Sequence, residues 1–145
     1  MIVPLEHRLL RKKVPGIVQC LPILYNQWYR RACTRLLRDR TSDEVEQEWR
    51  LAGIPSYVAE VVTATVRDEY CWQDGALFVP RDECFVLFCW WRLALSDGLE
   101  LPLCILQIER ELRVEITDEL IRRLPTLKLG DLCRAISGGP AVVGL

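Results

Sequence analysis

His7 is the single histidine of this chain, and it stands beside seven cysteines: Cys20, Cys33, Cys71, Cys84, Cys89, Cys104 and Cys133. Nucleophilic catalysis of the Ser-His-Asp or Cys-His kind needs an imidazole within reach of the nucleophile. Any such site here would have to use His7, in a stretch interrupted by Pro4, Pro15 and Pro22. The thiols are odd in number and none form a C-x-x-C pair, so a zinc site would need mostly thiolates at long, irregular spacings. Cys104, inside "LPLCILQI", sits where a thiol behaves as a small hydrophobe. No glycine-rich phosphate loop is present. The expectation is a protein that is not an enzyme, with no catalytic residue, no metal and reduced thiols of the cytoplasmic kind.

Charge offers more than nucleophiles do. Residues 1 to 40 hold nine Lys/Arg against Glu6 and Asp39, while the other 105 residues hold ten basic and eighteen acidic groups, so a net charge of −1 conceals a basic arm and an acidic body. Arg30, Arg31, Arg35 and Arg38 crowd one helical stretch together with Trp28 and Tyr29. Such a helix suits nucleic acid or an anionic membrane, and it equally suits an intramolecular role against the acidic body. In the other half, Asp97 and Glu100 are close in sequence, but two acids at a helix start ordinarily serve the helix dipole.

The elements that must position these groups read as helices. Residues 1 to 22 form an irregular arm with short helical pieces. From Ile23 to Arg40 an apolar face is expected at Leu24, Trp28, Ala32 and Leu36, flanked by Tyr25. Thr41 followed by Glu44 matches a capping box, and Gly53 and Pro55 close that helix. Ser56 is placed to cap "YVAEVVTATVRDEY", with Val58, Val61, Val62 and Val66 inward, although its β-branched content also suits a strand. A long packed connection follows, with turns at Asp74-Gly75 and Pro80-Arg81-Asp82 and a short helix between Asp82 and Arg92. Leu99 to Leu112 is the strongest helix, with Leu101, Ile105, Ile108 and Leu112 on one face. Thr117 caps a short helix that stops at Leu124-Pro125, and Thr126 opens a last one ended by Gly138-Gly139-Pro140. The predicted class is all-α.

The residues from Asp97 to Leu127 carry a resemblance. "DGL" is Asp97-Gly98-Leu99, "IERELRVEITDE" supplies Glu109, Glu111, Leu112, Ile116, Asp118 and Glu119, and "LPTLKLGDL" supplies Thr126, Gly130 and Asp131. This gapless run resembles the acyl carrier protein family, with its Asp-Ser-Leu motif, acidic helix, Ile-x-Asp-Glu and closing threonine. The likeness spans about residues 56 to 137, leaving 1–55 as a basic helical extension and 138–145 as a tail. It implies an acyl-carrier-like helical bundle. In that family phosphopantetheine is esterified to the motif serine, but Gly98 stands at that position and has no oxygen to bear the ester.

The resemblance therefore implies a carrier-like domain that carries nothing and has no cofactor. Its function would lie in contacts with a protein partner near fatty-acid or polyketide-type enzymes. The family's recognition helix maps onto Asp97, Leu99, Glu100, Glu109 and Glu111. Two alternatives stay open: a true carrier with phosphopantetheine on Ser96, and a nucleic-acid- or membrane-binding module led by Arg30, Arg31, Arg35 and Arg38. "RKK" before "VPGIVQCLPILY" mimics a secretory signal, but prolines and a glycine interrupt it and no small-residue cleavage site follows. No window approaches a membrane span, and the expected location is cytoplasmic.

Overall fold

Two threonines cap helix starts, Thr41 through half of the capping box its spacing predicts, with Glu44 accepting from its hydroxyl at 3.1 Å. Thr41 Oγ1 accepts the Glu44 N–H at 3.3 Å, and Thr117 Oγ1 accepts the Leu120 N–H at 3.2 Å. The structure, a computed structural model, describes residues 1–93 and 98–138. Among the described residues there are eight α-helices and no strand. They are α1 (His7–Lys12), α2 (Pro22–Arg38), α3 (Ser42–Ala52), α4 (Ser56–Glu69), α5 (Cys84–Leu87), α6 (Glu100–Leu112), α7 (Asp118–Arg123) and α8 (Leu129–Ser137). The all-α class holds, and the valine-rich segment is the helix α4. Gly53 ends α3 in the left-handed region at φ +72°. Gly138 closes α8, while Gly139 and Pro140, like Ser96, Asp97 and most of the tail, lie outside the described residues.

Three details of the helix boundaries and faces depart from the periodic reading. The buried face of α2 consists of Tyr25, Tyr29, Ala32, Cys33 and Leu37, one position on from the expected set, and Leu24 is exposed. The aromatic at 29 decides this register. Tyr29 is fully buried, stacks on Trp91 with centroids 4.1 Å apart, and meets His7 Nδ1 through its hydroxyl at 2.8 Å. Ser56 makes no cap bond; it is the first residue of α4, and Pro55 precedes it as the cap. Thr126 ends a short 3-10 turn, donating to the Arg123 carbonyl, and α8 starts only at Leu129. There the Asp131 carboxylate accepts the Lys128 N–H.

A main hydrophobic core spans most of the described chain, with a smaller cluster of Ile2, Val45 and Val79 beside it. Leu5, Leu10 and Tyr29 from the N-terminal part share the main core with Val62, Phe78, Ile108, Leu132 and Ile136. Helix α4 is the central element, lying against α6 and α8. Its inward residues Val58, Val62 and Val66 recur every four positions, which places them on one stripe of a 3.6-residue helix. The basic N-terminal part therefore packs onto the body rather than standing apart from it.

Apart from α5, the described connection from Tyr70 to Leu93 is held largely by side chains. Trp49, Trp72 and Trp91 each donate their indole N–H to a backbone carbonyl, those of Phe78, Leu87 and Val86. Arg67 gives two bonds to the Ala76 carbonyl. Helix α8 is pinned where its first turn meets the 80–84 segment. The Leu129 N–H reaches the Asp82 carbonyl and the Gly130 N–H reaches the Pro80 carbonyl, both at 2.8 Å. A Cβ on Gly130 would lie 2.9 Å from the Pro80 Cβ, so this close approach requires glycine.

Candidate functional site

Gly98 sits just before α6 with φ +78°, in the left-handed region that L side chains rarely adopt. A Cβ built there would meet nothing within 4 Å, so backbone conformation rather than space is what favours glycine. Position 98 thus lacks a hydroxyl and holds a backbone unsuited to serine. Gly98 lines a cavity of about 410 Å³ together with Tyr70, Phe88, Cys89, Arg92 and Glu100. Across this cavity Arg92 donates to the Glu100 carboxylate at 2.7 Å, with both side chains about one-fifth exposed.

Of the expected recognition residues on α6, the structure gives each acid a different task. Glu100 is engaged by Arg92. The Glu109 carboxylate accepts the Ile116 N–H at 2.8 Å, and its carbonyl accepts the N–H groups of Arg113 and Val114. Together these bonds end α6 and turn the chain through Arg113, which adopts φ +55°. Glu111 accepts from Gln107 at 2.9 Å and lines a groove of about 360 Å³ with Glu60, Asp68 and Glu69 on the α4 side. Asp97, and with it the alternative attachment residue Ser96, lies outside the described residues. Among the described residues, Glu100, Glu109 and Glu111 are thus committed to three separate contacts.

Apolar side chains gather on one outward face. Leu99, Leu103 and Leu106 are 59%, 50% and 55% exposed, and their spacing of four and three residues places them along one side of α6. Cys104, Ile105 and Ile108 occupy the opposite, buried side. Leu103 and Leu106 were not singled out by the sequence reading, which used the best apolar stripe to define the inner face. The trace they leave is a helix whose leucines exceed what a single stripe can hold.

The basic residues of α2 also separate. Arg30 lays its guanidinium over the Trp72 ring, 4.1 Å from the centroid, and donates to the Tyr70 carbonyl at 2.8 Å. Arg31 is exposed beside Trp28. Arg35 is exposed, and Arg38 borders a different groove, with Leu37, Arg40 and Asp74. The cation that sequence reading passed over is Arg40. It is buried against Asp82, whose carboxylate also accepts the N–H groups of Leu5 and Val79.

Five of the seven thiols are muted by burial. Burial pushes the thiols of Cys104 and Cys133 up to about 12 and that of Cys89 up to about 11. The Cys33 and Cys84 thiols are raised by the same cause. Cys20 and Cys71 are exposed, and all seven thiols are free. Among the described residues no group of three or more His, Cys, Asp or Glu could hold a metal ion. No described helix is long and apolar enough to cross a membrane. Comparison with family models, with curated proteins and with solved structures returns no match to this chain.

Proposed function

We infer that this protein acts as a non-catalytic, acyl-carrier-like interaction domain whose working surface is the outer face of α6. The observation that carries this reading is the exposed row Leu99, Leu103 and Leu106, beside a Gly98 that offers no oxygen for a prosthetic group. Apolar side chains in a row on an otherwise amphipathic helix favour burial against another protein, because covering them removes apolar area from water. The fatty-acid or polyketide setting rests on the resemblance of residues 97–127 to carrier proteins.

The carrier half of this reading is tested with coenzyme A and a broad-specificity phosphopantetheinyl transferase, followed by intact-protein mass measurement. An unchanged mass is expected. A stoichiometric adduct on a hydroxyl side chain, Ser96 above all, would establish a working carrier instead.

A further inference from the structure

The geometry points to a second site: a cavity between α2 and the segment at Trp91-Arg92 that binds a small phosphate-bearing anion. The cavity is a shallow groove open to solvent, with a volume of about 540 Å³. Arg30, Arg31 and Arg92 line it with Gln27 and Thr34, and no carboxylate among the described residues does so. Arg92 comes from a part of the chain remote from α2, so folding, rather than a local run of charge, brings the three guanidiniums together.

Their hydrogen bonding points to an anion. Guanidinium groups only donate. Three described side-chain nitrogens are buried without a partner, and two of them, Arg30 Nη1 and Arg92 Nε, belong to guanidiniums of this wall. Arg30 is also held in place, by Trp72 beneath it and by the Tyr70 carbonyl, and it pairs with no carboxylate among the described residues. A partly desolvated, fixed and uncompensated cation is costly, and a neighbouring cation adds repulsion. An anion in the cavity offsets both effects. Phosphate suits the site because its several acceptor oxygens can be shared among forked guanidinium donors and its multiple charge matches Arg30 and Arg31, while Arg92, paired with Glu100, contributes its unpartnered Nε–H.

The site is tested on the full-length protein by calorimetric titration with inorganic pyrophosphate at low ionic strength. Saturable binding of one ion per chain is expected. Arg31→Gln, on the exposed rim, should weaken it about tenfold, the loss of one charge-assisted contact. Arg35→Gln, one turn along the same helix and outside the cavity wall, should weaken it clearly less than Arg31→Gln, because it loses only a long-range attraction and no direct contact. Arg30→Gln should abolish binding, with circular dichroism reporting whether the variant is folded. Absence of saturable binding would overturn the proposal, as would equal weakening by Arg31→Gln and Arg35→Gln. Parallel titrations with a single-stranded oligonucleotide and with phosphatidic acid vesicles identify the source of the phosphate. Binding to either that pyrophosphate fails to displace contradicts a small-anion site.

Discussion

Arg40 and Asp82, forty-two positions apart, form a bidentate ion pair with both contacts at 2.7 Å and both side chains essentially inaccessible to water. The same two residues gather the N-terminal arm and the 77–82 turn, since Arg40 also donates to the Val3 and Leu77 carbonyls. Asp82 in turn accepts the Leu5 and Val79 N–H groups. Removing one partner leaves a buried, uncompensated charge together with orphaned backbone groups. Arg40→Met or Asp82→Leu is expected to destabilise the fold by about 3–5 kcal/mol, while the double variant costs clearly less than the sum of the two. Chemical denaturation of the three variants measures this coupling.

The second prediction concerns pH. His7 Nδ1 meets the buried Tyr29 hydroxyl, and its ring packs against Phe85, with centroids 4.5 Å apart. Burial, assisted by Arg11 and opposed by Glu83, lowers the His7 pKa below its ordinary 6.5. The unfolded chain therefore takes up the His7 proton first as pH falls. This contribution to stability is complete above about pH 6.5 and is lost as pH drops from there through the lowered folded value. Melting temperatures of the wild type and His7→Gln between pH 8 and pH 5 should converge on the acid side. A constant gap across that range contradicts the assignment.

The third prediction follows from the backbone at Gly98. With φ at +78° and open space around the Cβ position, Gly98→Ala and Gly98→Ser should each cost about 1 kcal/mol, and Gly98→Asn less, because asparagine tolerates the left-handed region. The rank order Gly, Asn, then Ala and Ser, read from denaturation midpoints, distinguishes conformational strain from crowding.

The fourth prediction separates the acids of α6. Glu109→Ala removes the acceptor for the Ile116 N–H and should destabilise by about 1 kcal/mol. Glu111→Ala, which gives up only an exposed bond from Gln107, should stay within about 0.5 kcal/mol. Equal effects would contradict the structural role assigned to Glu109.

Much of this architecture was legible in the residues, for a physical reason. The caps at Thr41 and Thr117, the glycine stop at position 53 and the inner face of α6 are set by neighbours within one or two helical turns, so spacing alone reveals them. What spacing could not reveal are pairings made through the fold. Nothing local marks Arg40 as different from Arg38, or Asp82 as more than a turn residue, until the 77–82 segment meets the end of α2. The buried face of α2 lies one position on from the periodic reading because Tyr29 enters the core, its hydroxyl met by the half-buried His7. The Glu109 carboxylate reads as surface charge in the sequence, yet its bond spans the seven residues to Ile116.

The central claim, that α6 is an interaction surface, is tested most directly by quantitative cross-linking and capture from the native cell, comparing wild type with Leu103→Asp and Leu51→Asp. Both leucines are exposed, Leu103 on the proposed face and Leu51 at the end of α3, so neither substitution removes a core residue. A specific protein recovered with the wild type and with Leu51→Asp, and lost with Leu103→Asp, is the predicted result. Recovery of the same protein in equal amount with Leu103→Asp would contradict the assignment of α6.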